Sequence, residues 1–175
     1  YIVPTPIGNL SDMSNRAIDI LREVDLIAAE DTRHSGHLLQ HFLINTRKIS
    51  LHDHNEHQRT QLLIKKLQEG ENIALISDAG TPLISDPGYT LVSTCRSHNI
   101  TVIALPGPCA LTTALSASGL PTDRFMFLGC LPVKQKAKAE SLKFASSQHI
   151  SCLFYDAPRR IKHPLKSLNK HYLST

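Results

Sequence analysis

The arrangement of apolar residues over the first 105 positions constrains the fold most. Short apolar runs at 1–4 (YIVP), 25–29 (DLIAA), 47–51, 72–77 (NIALIS) and 100–105 (ITVIAL) alternate with stretches of helical periodicity at 13–24, 32–42, 56–69 and 87–98. A further helical stretch covers 109–119. Continuous apolar runs this short are the mark of strands buried on both faces. Strands separated by helices are joined by crossovers, which makes the neighbouring strands parallel. The expected class is therefore α/β, with a mostly parallel sheet flanked by helices. Local signals agree with these boundaries. Gly70 follows the third helical stretch where a left-handed C′ residue belongs, and Asp86-Pro87 reads as the N-cap and first residue of the fourth.

The character changes after Gly119-Leu120-Pro121. A strand (124–129), a Lys-rich helix (134–146), another strand (150–155) and a polar tail follow. Two strands and one helix do not bury a core of their own. We read residues 1–120 as an N-terminal α/β domain and 121–175 as the start of a second α/β domain that is incomplete here. Charge divides in the same place. Residues 133–175 carry nine Lys/Arg against two Asp/Glu, while residues 1–132 carry ten against thirteen. A basic block of this kind suits a polyanion such as nucleic acid. No apolar run approaches the ~20 residues that cross a bilayer and no signal peptide opens the chain, so a soluble, cytoplasmic protein is expected. The four cysteines at 95, 109, 130 and 152 form no CxxC pair, which favours thiols over disulfides or zinc, and no metal is expected.

An α/β sheet raises dinucleotide or P-loop chemistry, yet the eight glycines never form GxG and no GxxxxGK[ST] loop occurs. Gly8, Gly80, Gly88 and Gly107 fall just after strands instead. In open α/β sheets ligands bind at the carboxyl ends of strands, so the loops "PTPIGN", "SDAGTP" and "PGPCA" read as one pocket. Their proline content suits a neutral or cationic organic ligand gripped by backbone better than a phosphate. Asp78, at the end of the fourth strand, is placed to accept ligand hydroxyls or face a positive centre. In "ISDAGTPLISDPG" the first Ser-Asp reads as pocket wall and the second, Ser85-Asp86, as a helix start.

Three further segments carry polar groups. His34, His37 and His41 fall at i, i+3 and i+7 of one helix face, without the partner carboxylates a metal needs, which suits a solvated or RNA-facing side. "SLHDHNE" (50–56) gathers His52, Asp53, His54, Asn55 and Glu56 at a site edge. "AAEDTR" (28–33) sends Glu30, Asp31 and Arg33 off the second strand, as candidate bases and a phosphate clamp.

In order, "VPTPIGNLSD", "AEDTRHSG", "LHDHNE", "SDAGTPLISDPG", "LPGPCA" and "RFMFLGCLP" resemble the ribosomal RNA small-subunit methyltransferase I family of the tetrapyrrole methylase superfamily, over about residues 1–160. The resemblance implies a two-domain α/β fold that holds S-adenosylmethionine in the cleft between domains, usually as a homodimer. It implies 2′-O-methylation of a decoding-region cytidine of 16S rRNA in the small ribosomal subunit. By position it implies cofactor contacts at Pro6, Gly8, Asp78, Ala79, Gly80, Thr81, Pro82, Pro108, Cys109 and Ala110, and at Phe127, Gly129, Leu131 and Pro132. The chain departs from the family pattern where "YESPHR" is here "YDAPRR", with Asp156 and Arg159, and where Cys130 and Cys109 replace Phe and Ser.

A ribose hydroxyl is a weak nucleophile, so methyl transfer to it calls for a base. Glu30, Asp31, His52 and Glu56 are the candidates, and the sequence does not rank them. Arg33, Lys134, Lys136, Lys138, Arg159 and Arg160 are the expected RNA contacts. Two other readings stay open: a tetrapyrrole (precorrin-like) small-molecule methylase, and an inactive remnant.

Overall fold

A computed structural model describes residues 1–160, and the part of the basic tail beyond Arg160 lies outside the described residues. The chain divides into two compact units between Ala110 and Leu111, ten residues before the change of character in the sequence. The helix at Ala110–Ala117 begins on the last residue of the first unit and otherwise lies in the second.

In the first unit three strands, β1 (Leu26–Ala29), β2 (Lys48–Ser50) and β3 (Ile73–Ile76), pair in the order β2-β1-β3. Both pairings are parallel, with Ala28 opposite Ile49 on one side and Leu75 on the other. The segments 1–4 and 100–105, expected as strands, contribute only isolated bridges, from Ile2 to Leu75 and from Ile2 to Ala104. Backbone bonds still run on both sides of the first segment: Ile2 N–H donates to Ile103 O at 2.8 Å and Leu105 N–H to Ile2 O at 3.0 Å on one side, and Val3 N–H donates to Leu75 O at 2.9 Å on the other. Pro4 and Pro106 follow immediately and have no N–H to donate, so neither ladder lengthens.

All four residues of β1 and of β3 are buried, because helices cover both faces. Ile27, Ala29, Ala74 and Ile76 point into one cluster with Ala17 and Leu21 of α1 (Asn15–Glu23) and Leu39 of α2 (Thr32–His41). Leu26, Ala28, Ile73 and Leu75 point the other way, against Leu63 and Ile64 of α3 (Glu56–Gln68) and Leu91 and Cys95 of α4 (Tyr89–Ser97). The period-2 alternation of a strand thus divides eight residues between two cores. Each fully buried Leu or Ile contributes about 1.5–3 kcal/mol.

Caps fix the helix ends. Ser14 Oγ accepts from Ala17 N–H at 3.1 Å at the start of α1. At the end of α3, Gly70 N–H donates to Leu67 O and Glu71 N–H to Lys66 O, with Gly70 at φ +96°. That is the Schellman arrangement expected of a C′ glycine. The start of α4 differs from the expectation. Its N-cap is Gly88, not Asp86, and Pro87 lies outside the helix. Instead Glu56 Oε1, from the first residue of α3, accepts from the N–H groups of Gly88 (3.1 Å), Thr90 (2.8 Å) and Leu91 (3.4 Å). A carboxylate from another helix satisfies the orphan donors more completely than Asp86 could from two residues upstream. Gly88 is required here: it sits at φ +124°, and a Cβ would meet Leu75 Cδ2 at 2.6 Å.

The second unit contains α5 (Ala110–Ala117), β4 (Phe125–Cys130), α6 (Gln135–Ser146) and β5 (Ser151–Tyr155), with β4 and β5 parallel and α6 as their crossover. Leu142 and Ala145 of α6 are buried, and so is Lys138. The strands themselves are only half-buried. Their register slips between Phe127 and Cys130, where Gly129 takes φ +70°. No disulfide joins the four cysteines. Among the described residues no helix is long and apolar enough to cross a membrane.

Candidate functional site

The carboxyl ends of the parallel strands come together with the loops expected to form one pocket. Thr5 and Gly80 exchange backbone bonds at 2.9 and 3.0 Å, which ties "PTPIGN" to "SDAGTP". Thr81 Oγ1 donates to Pro108 O at 2.9 Å, which ties "SDAGTP" to "PGPCA". Thr5 Oγ1 adds a bond to Ser77 O at 3.2 Å. Gly107 lies so close to Pro4 that a Cβ would meet Pro4 Cβ at 2.7 Å. Three loops from separate parts of the chain therefore make one wall. The middle loop is wound tightly, with Gly80, Leu83, Ser85 and Gly88 all at positive φ. Leu83 and Ser85 each pay about 1–2 kcal/mol for that conformation, and strain of this kind gathers at functional sites.

Beside this wall carboxylates converge. Asp78 N–H donates to Glu30 Oε2 at 3.3 Å, and Asp31 N–H donates to Asp78 Oδ1 at 3.2 Å. Glu30 is half-buried, and burial pushes its carboxyl above the usual range; the Asp78 N–H opposes this, and the charges of Asp78, Asp86 and Asp53 add to it. Asp86 is raised in the same way, by burial first and then by Asp78 and Asp53, against a hydrogen bond from Ser77. So Asp86 belongs to the acidic group at the strand ends, not to the cap of α4. Sequence reasoning missed its convergence with Asp53. The available signal was that both acids lie in loops that follow parallel strands, Asp53 after β2 and Asp86 after β3.

The four candidate bases are in different states. Asp31 caps α2, accepting from Arg33 N–H at 2.8 Å, and pairs with the Arg33 guanidinium at 3.2 Å. Those bonds hold its carboxyl below the ordinary value and raise Arg33. Glu56 is committed to the start of α4. At His52 the backbone N–H donates to Asn55 Oδ1 at 2.9 Å, so the Asn55 amide presents its NH2 group to Ser50 and to His52 Nε2, the latter at 3.1 Å. Nε2 is then the acceptor of a neutral ring and Nδ1 carries the proton, buried and without a partner. Burial pushes Glu30 toward holding a proton, and it has no ion pair among the described residues.

The remaining expected site residues fall in several places. A cleft of about 400 Å³ is lined by Pro6, Gly8 and Asp78, together with His34, His37 and His41 of α2. Ala79 is exposed and Pro82 buried in the middle loop, Cys109 is half-buried and Ala110 exposed. In the second unit Phe127 meets the Tyr155 ring edge-on at 4.9 Å. Leu131 N–H donates to Tyr155 O at 2.8 Å, Gly129 forms the bulge, and Pro132 follows half-buried. Of the expected RNA contacts, Arg33, Lys134, Lys136 and Arg159 are exposed, whereas Lys138 is 5% exposed. Arg160 pairs with the buried Asp156. Among the described residues no group of three or more His, Cys, Asp or Glu is arranged to hold a metal ion.

Comparison with known proteins places this architecture. The family model described as Tetrapyrrole (Corrin/Porphyrin) Methylases matches residues 1–175. The chain belongs to that family. The chain is 58% identical over 168 residues to ribosomal RNA small subunit methyltransferase I of Escherichia coli O157:H7, a match covering 96% of this chain and 59% of that protein. It is 55% identical to the protein of the same name from Synechocystis sp., covering 96% and 60%. The chain thus spans about three-fifths of the length of these relatives. Among solved structures, diphthine synthase aligns with a TM-score of 0.69 at 14% identity, covering 98% of this chain and 71% of that one. Uroporphyrin-III-C-methyltransferase from Thermus thermophilus aligns at 0.55 and 22% identity, covering 74% and 58%. These two likenesses concern the fold.

Proposed function

We propose that this member of the family acts as an S-adenosylmethionine-dependent RNA methyltransferase. Its substrate is 16S rRNA in the small ribosomal subunit, and its target the ribose 2′-hydroxyl of a decoding-region cytidine. The reading includes cytoplasmic function as a homodimer. Its enzyme class and RNA substrate are supported by the relatives above 50% identity, all named for small-subunit rRNA. The observation that carries the chemistry is Glu30, a carboxyl raised by burial at the end of β1, beside a wall built from three loops.

The chemistry of the wall fits the cofactor. Its groups are carbonyls and carboxylates, acceptors that suit a cationic ligand bearing amine and hydroxyl donors. When bound, S-adenosylmethionine supplies an electrophilic methyl group on a positively charged sulfur. Pro6, Gly8, Asp78, Ala79, Gly80, Thr81, Pro82, Pro108, Cys109 and Ala110 are the residues of the first unit that would hold it. Phe127, Gly129, Leu131 and Pro132 are those of the second. Glu30 would accept the proton that the ribose hydroxyl releases, a contribution of about 10²–10⁴-fold. Holding the hydroxyl oxygen in line is worth ~7–11 kcal/mol. Arg33, Lys134, Lys136 and Arg159 hold phosphates, so log Kd rises with log salt by about 0.7–0.9 per phosphate neutralised.

The test is methylation of small ribosomal subunits by the purified protein with labelled S-adenosylmethionine, followed by nuclease digestion and mass spectrometry. A 2′-O-methylcytidine product is expected. Label entering a tetrapyrrole and not RNA overturns the reading, as does label on a nucleobase.

A further inference from the structure

The cleft of about 400 Å³ beside α2 shares Pro6, Gly8 and Asp78 with the expected cofactor contacts and adds a helix face that the loop wall lacks. Pro6 and Leu10 bound it on the loop side, His34, His37 and His41 line it from α2, and Asp78 lines it from the end of β3. The imidazoles of His34 and His37 are exposed and make no hydrogen bond or ion pair among the described residues, and His41 meets only the edge of Phe42, at 4.8 Å. Exposed rings on successive turns of one helix face, with nothing to hold them, are available to stack on flat ligands. Asp78 and its neighbour Glu30 disfavour a phosphate there, but their oxygens accept well from ribose hydroxyls. Aromatic faces, aliphatic patches and carboxylate acceptors together describe a nucleoside in a single strand, whose unstacked base rests on side-chain rings while its sugar is hydrogen-bonded.

We propose that this cleft is the RNA-target subsite, in which the imidazoles of His34, His37 and His41 carry a base of single-stranded RNA and place its ribose against Asp78 and Glu30. This rests on the RNA reading above and adds the place where the strand enters. It also gives the two binding tasks of the first unit to adjoining surfaces that meet at Pro6, Gly8 and Asp78. The hydrogen-bonded loops at Thr5, Gly80 and Pro108 serve the cofactor, and the face of α2 serves the RNA. Asp78, which accepts from Asp31 N–H at 3.2 Å, stands at the junction.

The experiment compares the protein with its His34→Ala/His37→Ala/His41→Ala variant, measuring affinity for a short single-stranded RNA by fluorescence anisotropy and for S-adenosylmethionine by calorimetry. All three positions are on an exposed face, so the variant should fold, which its melting curve checks. RNA affinity should fall by roughly tenfold or more, as expected for lost base stacking, with cofactor affinity unchanged. A DNA strand of the same sequence should bind the unaltered protein more weakly than the RNA, because it lacks the 2′-hydroxyl. Unchanged RNA affinity in the variant overturns the subsite, and so does a loss confined to cofactor binding, which would make the cleft part of the cofactor site. Crosslinking of 4-thiouridine RNA to the unaltered protein gives an answer independent of the variant's folding. Crosslinked peptides should map to residues 6–10 or 33–41; crosslinks confined to residues 134–160 overturn the proposal. If RNA is methylated normally by the triple variant, only the subsite fails. If the unaltered protein neither binds nor methylates RNA, the RNA reading fails and the subsite with it.

Discussion

The two units use the same βαβ grammar to different depths. In the first, β1 and β3 are buried along their whole length between two pairs of helices. In the second, β4 and β5 are half-buried, and Phe125, Val133 and Phe144 are exposed by 43%, 70% and 48%. A sheet covered on both faces is stiff, and a stiff sheet can hold strained loops at its carboxyl ends. The positive φ angles of Leu83 and Ser85 and the raised carboxyls of Glu30 and Asp86 are all at that end of the first unit. Burial of β1 and β3 therefore supports groups that would destabilise a looser frame.

The contrast can be broken most forcefully in the core. Leu21→Ala removes a fully buried side chain of the first unit and should cost about 2–5 kcal/mol in chemical denaturation. Next comes the bridge between α3 and α4. Glu56→Ala leaves the N–H groups of Gly88, Thr90 and Leu91 without their acceptor, and a loss of about 1–3 kcal/mol is expected. Asp86→Asn should act in the opposite direction. Its carboxyl is raised in the folded state, so its contribution is present below the unfolded pKa and is lost as pH rises through the folded one. At neutral pH the charge costs stability, and the Asn variant should melt higher than the unaltered protein. That difference should vanish in acid below the usual carboxylate range. A lower melting point at neutral pH would restore Asp86 to a capping role. The smallest effect belongs to the second unit, where Phe125→Ala, at an exposed strand residue, should change stability by less than about 1 kcal/mol. A loss as large as that of Leu21→Ala would show that β4 is packed as deeply as β1.

Much of this was legible in the sequence. Unbroken apolar runs marked β1 and β3 as two-sided strands, because period-2 burial with helices on both faces leaves no polar alternation. Gly70 announced the end of α3, since only a C′ glycine suits that turn. The joining of three loops was legible from glycines placed just after strands. The start of α4 was not. Asp86-Pro87 has the local chemistry of a helix start, but the acceptor came from Glu56, 32 residues earlier in the chain. Local propensity cannot see such a partner. The ranking of Glu30, Asp31, His52 and Glu56 was likewise hidden, because it depends on which oxygen or ring nitrogen is already occupied. Lys138 looked like its neighbours Lys134 and Lys136, and only the rotation of α6 buries it.

In the proposed reaction Glu30, held half-buried at the end of β1, takes the proton in methyl transfer. The direct measurement is the single-turnover rate of RNA methylation against pH for the protein and its Glu30→Gln variant, both saturated with S-adenosylmethionine. The unaltered protein should speed up with rising pH through a carboxyl titration above the ordinary Glu value, because burial raises that group and only the ionised form accepts a proton. The variant should lose about 10²–10⁴-fold in rate and the pH step with it, while melting no lower than the unaltered protein. A Glu30→Gln variant that keeps the rate and the pH step would contradict the account.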